Sequence, residues 1–284
     1  MDDKSCRLIA VDLDGTLLRS DSTLAPGGAR ALAEAAQCGV WVVLASARNP
    51  YSAGAFAREM GLHHGSMPHP LICSNGAQVW ASPDGPVWSC RGASPMIAEA
   101  LTGLADARGW SLVTTVGEVT YFCQRPGQAL GARDVHHHIV ATNAEVLRFG
   151  APVRILNYEA EAIPAIRALL ETDFAGQYYL ETYYYPDNTV KSIGVYAPGS
   201  DKGTALALVL ERLGIDQEAV LAIGDNPNDL PMFAQARIRV AMGNATADVK
   251  AQATAIAPTN DEEGVAWAVK QFNDPCEGSE PSQG

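Results

Sequence analysis

Apolar residues in this chain come in short runs, each closed by polar or turn-forming residues. Leu8 to Asp12, Val40 to Ala45 and Leu71 to Cys73 are strand-length and nearly continuous. That is the pattern of parallel strands buried on both faces. Between them, Pro26 opens a predicted helix over Gly27 to Cys38, with Gly39 as its left-handed stop. Tyr51 to Met60 forms a second helix, ended by Gly61. The resulting βαβαβ rhythm predicts a doubly wound, Rossmann-like α/β fold with a parallel sheet.

The pattern changes near Val79. Val79-Trp80-Ala81, Pro83-Asp84-Gly85 and Val87-Trp88 read as a hairpin with turn chemistry in its middle. Ser94 and Pro95 then fit the N-cap and first position of a helix ending at Gly109. Trp110 to Thr115 pairs with Val119 to Gln124. Val153 to Tyr158, a helix over Ala162 to Leu170 and two strands between Tyr178 and Tyr196 follow. Paired strands with single helices predict an α+β insert. From Ser200 the βα rhythm returns. It gives a helix over Lys202 to Leu213, a strand over Val220 to Gly224 and a helix over Asp229 to Ala236. A strand over Ile238 to Met242 and helices over Ala245 to Ala253 and Asp261 to Phe272 complete it. The expected organisation is a core of residues 1–81 and 198–273, an insert of 82–197 and a frayed polar tail of 274–284.

Composition narrows the partners. The 284 residues carry 20 basic and 32 acidic side chains, a net charge of −12. An acidic chain lacks the basic face that nucleic-acid phosphates require, so nucleic acid is not an expected partner. No apolar run approaches the ~18 residues of a membrane span, and the N-terminal MDDKSCR lacks the layout of a signal peptide. Cys6, Cys38, Cys73, Cys90, Cys123 and Cys276 are scattered, with no metal-like spacing. Reduced thiols in the cytoplasm are the expectation.

Candidate chemistry sits where the strands end. Ligands of open α/β sheets bind there. Asp12 and Asp14 follow the first strand at spacing i, i+2, which on a continuing strand places both carboxylates on one face. Such a pair needs a cation or a shared proton, and a hard divalent ion, Mg²⁺ first, answers the need. Asp225 and Asp229 follow another buried strand, though Asp229 alone would also serve as a helix cap. Ser46, after the second strand, can offer a hydroxyl to an anion. Lys202 opens a helix, where its charge opposes the dipole unless an anion is near. Metal, hydroxyl and ammonium together are what phosphoryl transfer demands.

These motifs resemble those of the haloacid dehalogenase superfamily: Asp12-Leu13-Asp14-Gly15-Thr16, Ser46, Lys202 and Gly224-Asp225-Asn226-Pro227-Asn228-Asp229. Ser74-Asn75-Gly76-Ala77, Ala241-Met242-Gly243-Asn244-Ala245 and the run Thr259 to Val265 are similar to its Cof-type, IIB branch, whose cap is inserted between the second and third motifs. The resemblance implies a Mg²⁺-dependent phosphatase acting on a small phosphate ester, most simply a sugar phosphate. It implies Asp12 as nucleophile and Asp14 as general acid, then base. Asp12, the Asp14 carbonyl, Asp225 and Asp229 would hold the metal. Leu13, Ser46, Ala47, Arg48, Asn75, Lys202 and Asn228 would surround the phosphate, with Asn244 nearby. Ala47 stands where the branch has glycine, so a φ above zero there would be strained. A phosphomutase of the same superfamily and a non-catalytic phosphoryl sensor are the alternatives. Oligomeric state is left open.

Weaker signals lie in the insert. His136-His137-His138 reads as an exposed segment, with transition-metal binding as the alternative. The run Tyr178 to Tyr185 reads as strand propensity on a half-buried face, with Tyr183 and Tyr185 on one side and a substrate- or partner-facing surface as the alternative. His63-His64 reads as a helix-end pair, and Arg125 and Arg154 could meet an anion.

Overall fold

A computed structural model describes residues 6–63, 67–124, 137–184 and 189–272. His64, Arg125, His136, Tyr185, Cys276 and the tail of 274–284 lie outside the described residues. The chain divides into two compact units, Met1–Trp88 with Asp201–Gly284, and Ser89–Ser200.

The first stretch runs β1 (Leu8–Val11), α1 (Pro26–Gln37), β2 (Trp41–Ala45), α2 (Pro50–Glu59), β3 (Leu71–Cys73), β4 (Gln78–Trp80) and β5 (Val87–Cys90). The insert carries α3 (Pro95–Arg108), β6 (Val113–Val116), β7 (Val119–Cys123) and β8 (His137–Val140). It continues through β9 (Arg154–Asn157), α4 (Ile163–Asp173), β10 (Tyr179–Tyr184) and β11 (Val190–Tyr196). The return adds α5 (Lys202–Leu213), β12 (Val220–Gly224), α6 (Leu230–Phe233), β13 (Ile238–Ala241), α7 (Ala247–Gln252), β14 (Ala255–Ile256) and α8 (Gly264–Phe272).

The core sheet has the order β14-β13-β12-β1-β2-β3-β4-β5. Strands from β14 to β3 are parallel, and β4 turns back antiparallel on β3. Strand order reverses at β1, which lies between β12 and β2. Every residue of β1 and β12 is buried, as two-sided cover by helices requires. Local signals hold the helices: Asn49 Oδ1 accepts from the Ser52 N–H at 2.9 Å at the start of α2, and Gly214 ends α5 in left-handed backbone.

In the second unit the order is β10-β11-β9-β6-β7-β8. Neighbours are antiparallel except β7 and β8, which run parallel. Its core joins Ile97 and Leu101 of α3 and Ile166 and Leu170 of α4 to Ile155, Ile193 and Val195 of the sheet. No helix among the described residues is long and apolar enough to cross a membrane.

Several local expectations change. β5 extends the core sheet, so the hairpin stays with the core and the division falls at Ser89 rather than Ser82. The helix expected over Asp261 to Phe272 breaks at Glu263, whose φ is 62°. Glu263 leaves the helical path to accept from the Gly28 N–H at 3.0 Å and to pair with Arg19 at 3.2 Å. Ser94 makes no side-chain cap to α3. Asp229 belongs to a single 3-10 turn, Pro227–Asp229, before the short α6. His137 and His138 lie in β8, a strand the histidine run did not signal.

Candidate active site

β1 and β12 are adjacent at the point where strand order reverses, and their ends are level: Val11 pairs with Ile223. The Asp12 N–H continues the ladder by donating to the Ile223 carbonyl at 3.0 Å. Asp12 therefore lies beside Gly224-Asp225, at the switch point where open α/β sheets bind ligands. Regular strand structure stops at Val11. The chain then turns tightly, with the Thr16 and Leu18 N–H groups donating to the Leu13 carbonyl at 3.2 and 2.8 Å.

The turn interrupts the continuing strand on which the shared face was expected, and the two carboxylates have different surroundings. The Asp12 side chain is 8% exposed and that of Asp14 54%. Asp14 instead receives a two-pronged contact from Arg48, Nε to Oδ2 at 2.8 Å and Nη2 to Oδ1 at 2.7 Å. Ser52 Oγ accepts from Arg48 Nη1 at 3.1 Å, and the Phe56 ring lies 5.3 Å from the guanidinium. Arg48, expected beside a phosphate, pairs with the Asp14 carboxylate here.

Asp12 gathers with Asp225 and Asp229. One oxygen from each lies within 4.8 Å of the others, and all three residues are buried. Lys202, fully buried, donates from Nζ to Asp12 Oδ1 at 2.6 Å and to Asp229 Oδ1 at 2.5 Å. Asp229 Oδ2 accepts from the N–H groups of Asp225 and Asn226 at 2.9 and 3.1 Å. The expected cap and the expected site residue are thus the same carboxylate. A Cβ on Gly224 would come within 2.5 Å of that carboxylate, so glycine is what admits it.

The charges do not balance. Three buried carboxylates face one ammonium. Burial pushes Asp12 up to about 7; Lys202 pulls it down, while Asp229 and Asp14 push it further up. Burial also raises Asp225 well above the usual carboxylate range, helped by Asp12 and Asp229. Burial opposes the charge of Lys202, yet Asp12 and Asp229 together hold its pKa above the ordinary lysine value. Uncompensated negative charge on clustered hard oxygens fits a divalent cation. The donor set therefore suits a metal, with Asp12, Asp225 and Asp229 as its protein carboxylates.

The other candidates flank this group. Ser46 is buried after β2; its N–H donates to the Ile72 carbonyl at 2.8 Å and its Oγ accepts from the Arg48 N–H at 3.1 Å. Ala47 is absent from the residues with positive φ, so its Cβ brings no backbone strain. Asn75 Oδ1 accepts from Asn228 Nδ2 at 3.1 Å. Asn244 Nδ2 donates to the Gly15 carbonyl at 2.8 Å, and its Oδ1 accepts from the Asn260 N–H at 3.0 Å, which braces the turn after Asp14.

Three contributors were not singled out by the sequence. Thr16 Oγ1 donates to Asp225 Oδ1 at 2.9 Å and Asn226 Nδ2 to Asp225 Oδ2 at 2.7 Å, so Asp225 is held on both oxygens. Gly15, with φ 85°, passes so close that a Cβ would meet Asp225 Oδ2 at 2.4 Å. Thr16 and Gly15 stand in the motif, but their role depends on a strand more than two hundred residues away.

The family model for haloacid dehalogenase-like hydrolases matches residues 9–269. The chain is 29% identical over 271 residues to 5-amino-6-(5-phospho-D-ribitylamino)uracil phosphatase YcsE of Bacillus subtilis, covering 95% of this chain and 97% of that one. Among solved structures it matches a haloacid dehalogenase-like hydrolase from Bacteroides thetaiotaomicron, with TM-score 0.84 and 25% identity over 94% of this chain and 99% of that one. It also shares the fold of the HAD subclass IIB sugar phosphatase BT4131, with TM-score 0.76 and 21% identity over 94% and 98%. A buried acidic group at the switch point of a doubly wound sheet and a family match along nearly the whole chain agree: the protein belongs to the haloacid dehalogenase-like hydrolases, as an enzyme of phosphatase type.

Proposed function

We propose that this chain is a Mg²⁺-dependent phosphatase that hydrolyses a small phosphorylated metabolite, with a sugar or sugar-alcohol phosphate as the first choice. The observation that carries the reading is the buried Asp12 carboxylate, in contact with Lys202 and grouped with Asp225 and Asp229. The relatives' names support the substrate class: one acts on a phosphorylated ribityl compound and another is a sugar phosphatase. A cytoplasmic setting belongs to the same proposal, supported by the buried thiols of Cys6 and Cys73.

In this reading an Asp12 oxygen attacks phosphorus, and the bond from phosphorus to the leaving oxygen breaks, giving an aspartyl-phosphate. Asp14 gives a proton to the leaving oxygen. Water then attacks the same phosphorus, Asp14 takes its proton, and Asp12 is released as carboxylate with inorganic phosphate. Asp12, Asp225, Asp229 and the Asp14 carbonyl would hold Mg²⁺, which would supply positive charge to offset that of the phosphoryl group. Lys202 supplies more, and lets an anionic nucleophile approach an anionic ester. Ser46 donates its hydroxyl to the phosphoryl group. Asp14 serves in both proton transfers only after leaving Arg48, so the ion pair is a resting arrangement of the acid.

The test is phosphate release from sugar phosphates, nucleotides, flavin mononucleotide and pyridoxal phosphate, each with Mg²⁺, with EDTA and with Asp12→Asn. Release that needs both Mg²⁺ and Asp12 is expected. Turnover retained in Asp12→Asn would sink the mechanism, and turnover retained in EDTA would sink the metal requirement.

A further inference from the structure

Three consecutive residues after β3 adopt left-handed backbone: Ser74 with φ 49°, Asn75 with φ 57° and Gly76 with φ 96°. Ser22 and Glu263 are the other non-glycine residues in that region among those described. A Cβ resists this conformation. Such residues persist where their surroundings over-determine them, and they cluster at functional sites. Ser74 and Asn75 are fully buried.

The surroundings here are three segments of the candidate site. The Ser74 N–H donates to the Arg48 carbonyl at 2.8 Å and the Asn75 N–H to the Ser46 carbonyl at 3.0 Å. The turn is thereby stitched to the loop that carries the Ser46 hydroxyl. Asn75 Oδ1 accepts from Asn228 Nδ2, beside Asp229, the partner of Lys202. A Cβ on Gly76 would fall 2.2 Å from the Asp201 carbonyl oxygen, so the turn lies against the residue preceding Lys202. A right-handed turn would break these contacts together, because it would re-aim both N–H groups and the asparagine side chain.

We infer that Asn75 is a positioning residue: it holds the left-handed turn that sets the loop of Ser46 against Lys202, and so fixes the spacing of the two groups that grip a phosphoryl anion. Asn75 acts through those groups and needs no contact with the ligand. The inference rests on the proposed roles of Ser46 and Lys202.

Inorganic phosphate titrated by calorimetry into the full chain in Mg²⁺ buffer tests it. Asn228→Ala and Asn75→Gly both remove the Asn75–Asn228 hydrogen bond, so each weakens binding about three- to tenfold and the double variant falls short of the sum of the two losses. Asn75→Ala also strains the turn and weakens binding about tenfold further, a loss that Asn75→Gly escapes. Equal loss in Asn75→Ala and Asn75→Gly would overturn the inference. So would wild-type affinity in both, or additive losses in the double variant. Should Asn75→Ala not fold, the non-additivity of the other variants decides. Ser46→Ala and Lys202→Ala run alongside: wild-type affinity in those two would show that the reading underneath has failed, separately from the turn.

Discussion

The two units place their buried polar groups differently. The core gathers them where strands end: Asp12 after β1, Ser46 after β2, and Asp225 after β12. The insert carries several of its own, Thr115, Arg154, Glu181 and Ser192 among them, in the middle of the sheet face turned away from its helices. Ile193 and Val195 of β11 pack towards the helices, which sends Ser192, Gly194 and Tyr196 to the other side. There the Tyr183 and Tyr196 hydroxyls meet at 2.8 Å, Tyr179 donates to Glu181, and Arg154 Nη2 donates to Thr115 Oγ1 at 3.0 Å. A Cβ at Gly194 would come within 2.7 Å of the Tyr196 ring, so a glycine inside the strand makes room for that ring. Strand ends concentrate charge at one point and demand particular residue types. A sheet face satisfies its polar groups pairwise, and many pairs would serve. The core arrangement should therefore fail sharply when one group is altered, and the insert arrangement should fail gradually.

The sharpest break is expected at Asp12. Asp12→Asn keeps the size and most hydrogen-bonding capacity of the side chain but removes the nucleophile. Phosphate release should fall by at least about a thousandfold while the far-ultraviolet circular dichroism spectrum stays unchanged. Lys202→Met comes next, because it leaves two carboxylates buried without their cation. Removing one partner of a buried ion pair costs about 3–5 kcal/mol, and urea denaturation of the metal-free variant should show a loss of that size. A loss below about 1 kcal/mol would mean that the acidic group rests on its backbone donors instead.

The insert should answer in smaller steps. Burial pushes the Tyr196 phenol up to about 12 and Tyr183 well above its ordinary value, so both stay protonated and one donates to the other. Tyr183→Phe strands the Tyr196 hydroxyl and should cost about 1–3 kcal/mol. Replacing both tyrosines by phenylalanine strands neither partner and should cost less than the single change. A double variant as unstable as the sum of the singles would show that each hydroxyl has further partners that matter more than the pair.

How much of this was legible follows from the same contrast. The core strands and the ends of α1 and α5 are readable because buried parallel strands are apolar throughout and glycines mark helix stops. That Asp12, Lys202, Asp225 and Asp229 would meet is readable because the strand ends and helix start that carry them fall at one edge of the sheet, and because a lysine opposing a helix dipole asks for anions nearby. The pairing of Asp14 with Arg48 was not, since a tight turn after Val11, rather than strand alternation, decides where Asp14 points. The break at Glu263 was not either, because its cause is the backbone of Gly28, far away in sequence. In the insert, Tyr183 stood out as one of many tyrosines, but its partner Tyr196 could be chosen only by the register of β10 on β11.

The smallest expected effect separates ordinary burial in the core from its chemistry. His69 is buried and its Nδ1 accepts the Val42 N–H at 3.0 Å, which only a neutral imidazole can do. Burial lowers its pKa to about 4, against about 6.5 in an unfolded chain. Between those values the unfolded chain binds the proton and the folded chain does not. The stabilisation from neutral His69 is thus complete above about pH 6.5 and is lost as pH falls towards about 4. From pH 7.5 to 5.5 the loss should be on the order of 1 kcal/mol. His69→Gln keeps an acceptor for Val42 but cannot titrate, so its denaturation midpoint should depend less on pH across that window. If wild type and variant share one pH profile, the imidazole is reached by water or rotates to release the Val42 N–H when it takes up a proton. This edge of the core would then bend like the insert rather than break like the cluster around Asp12.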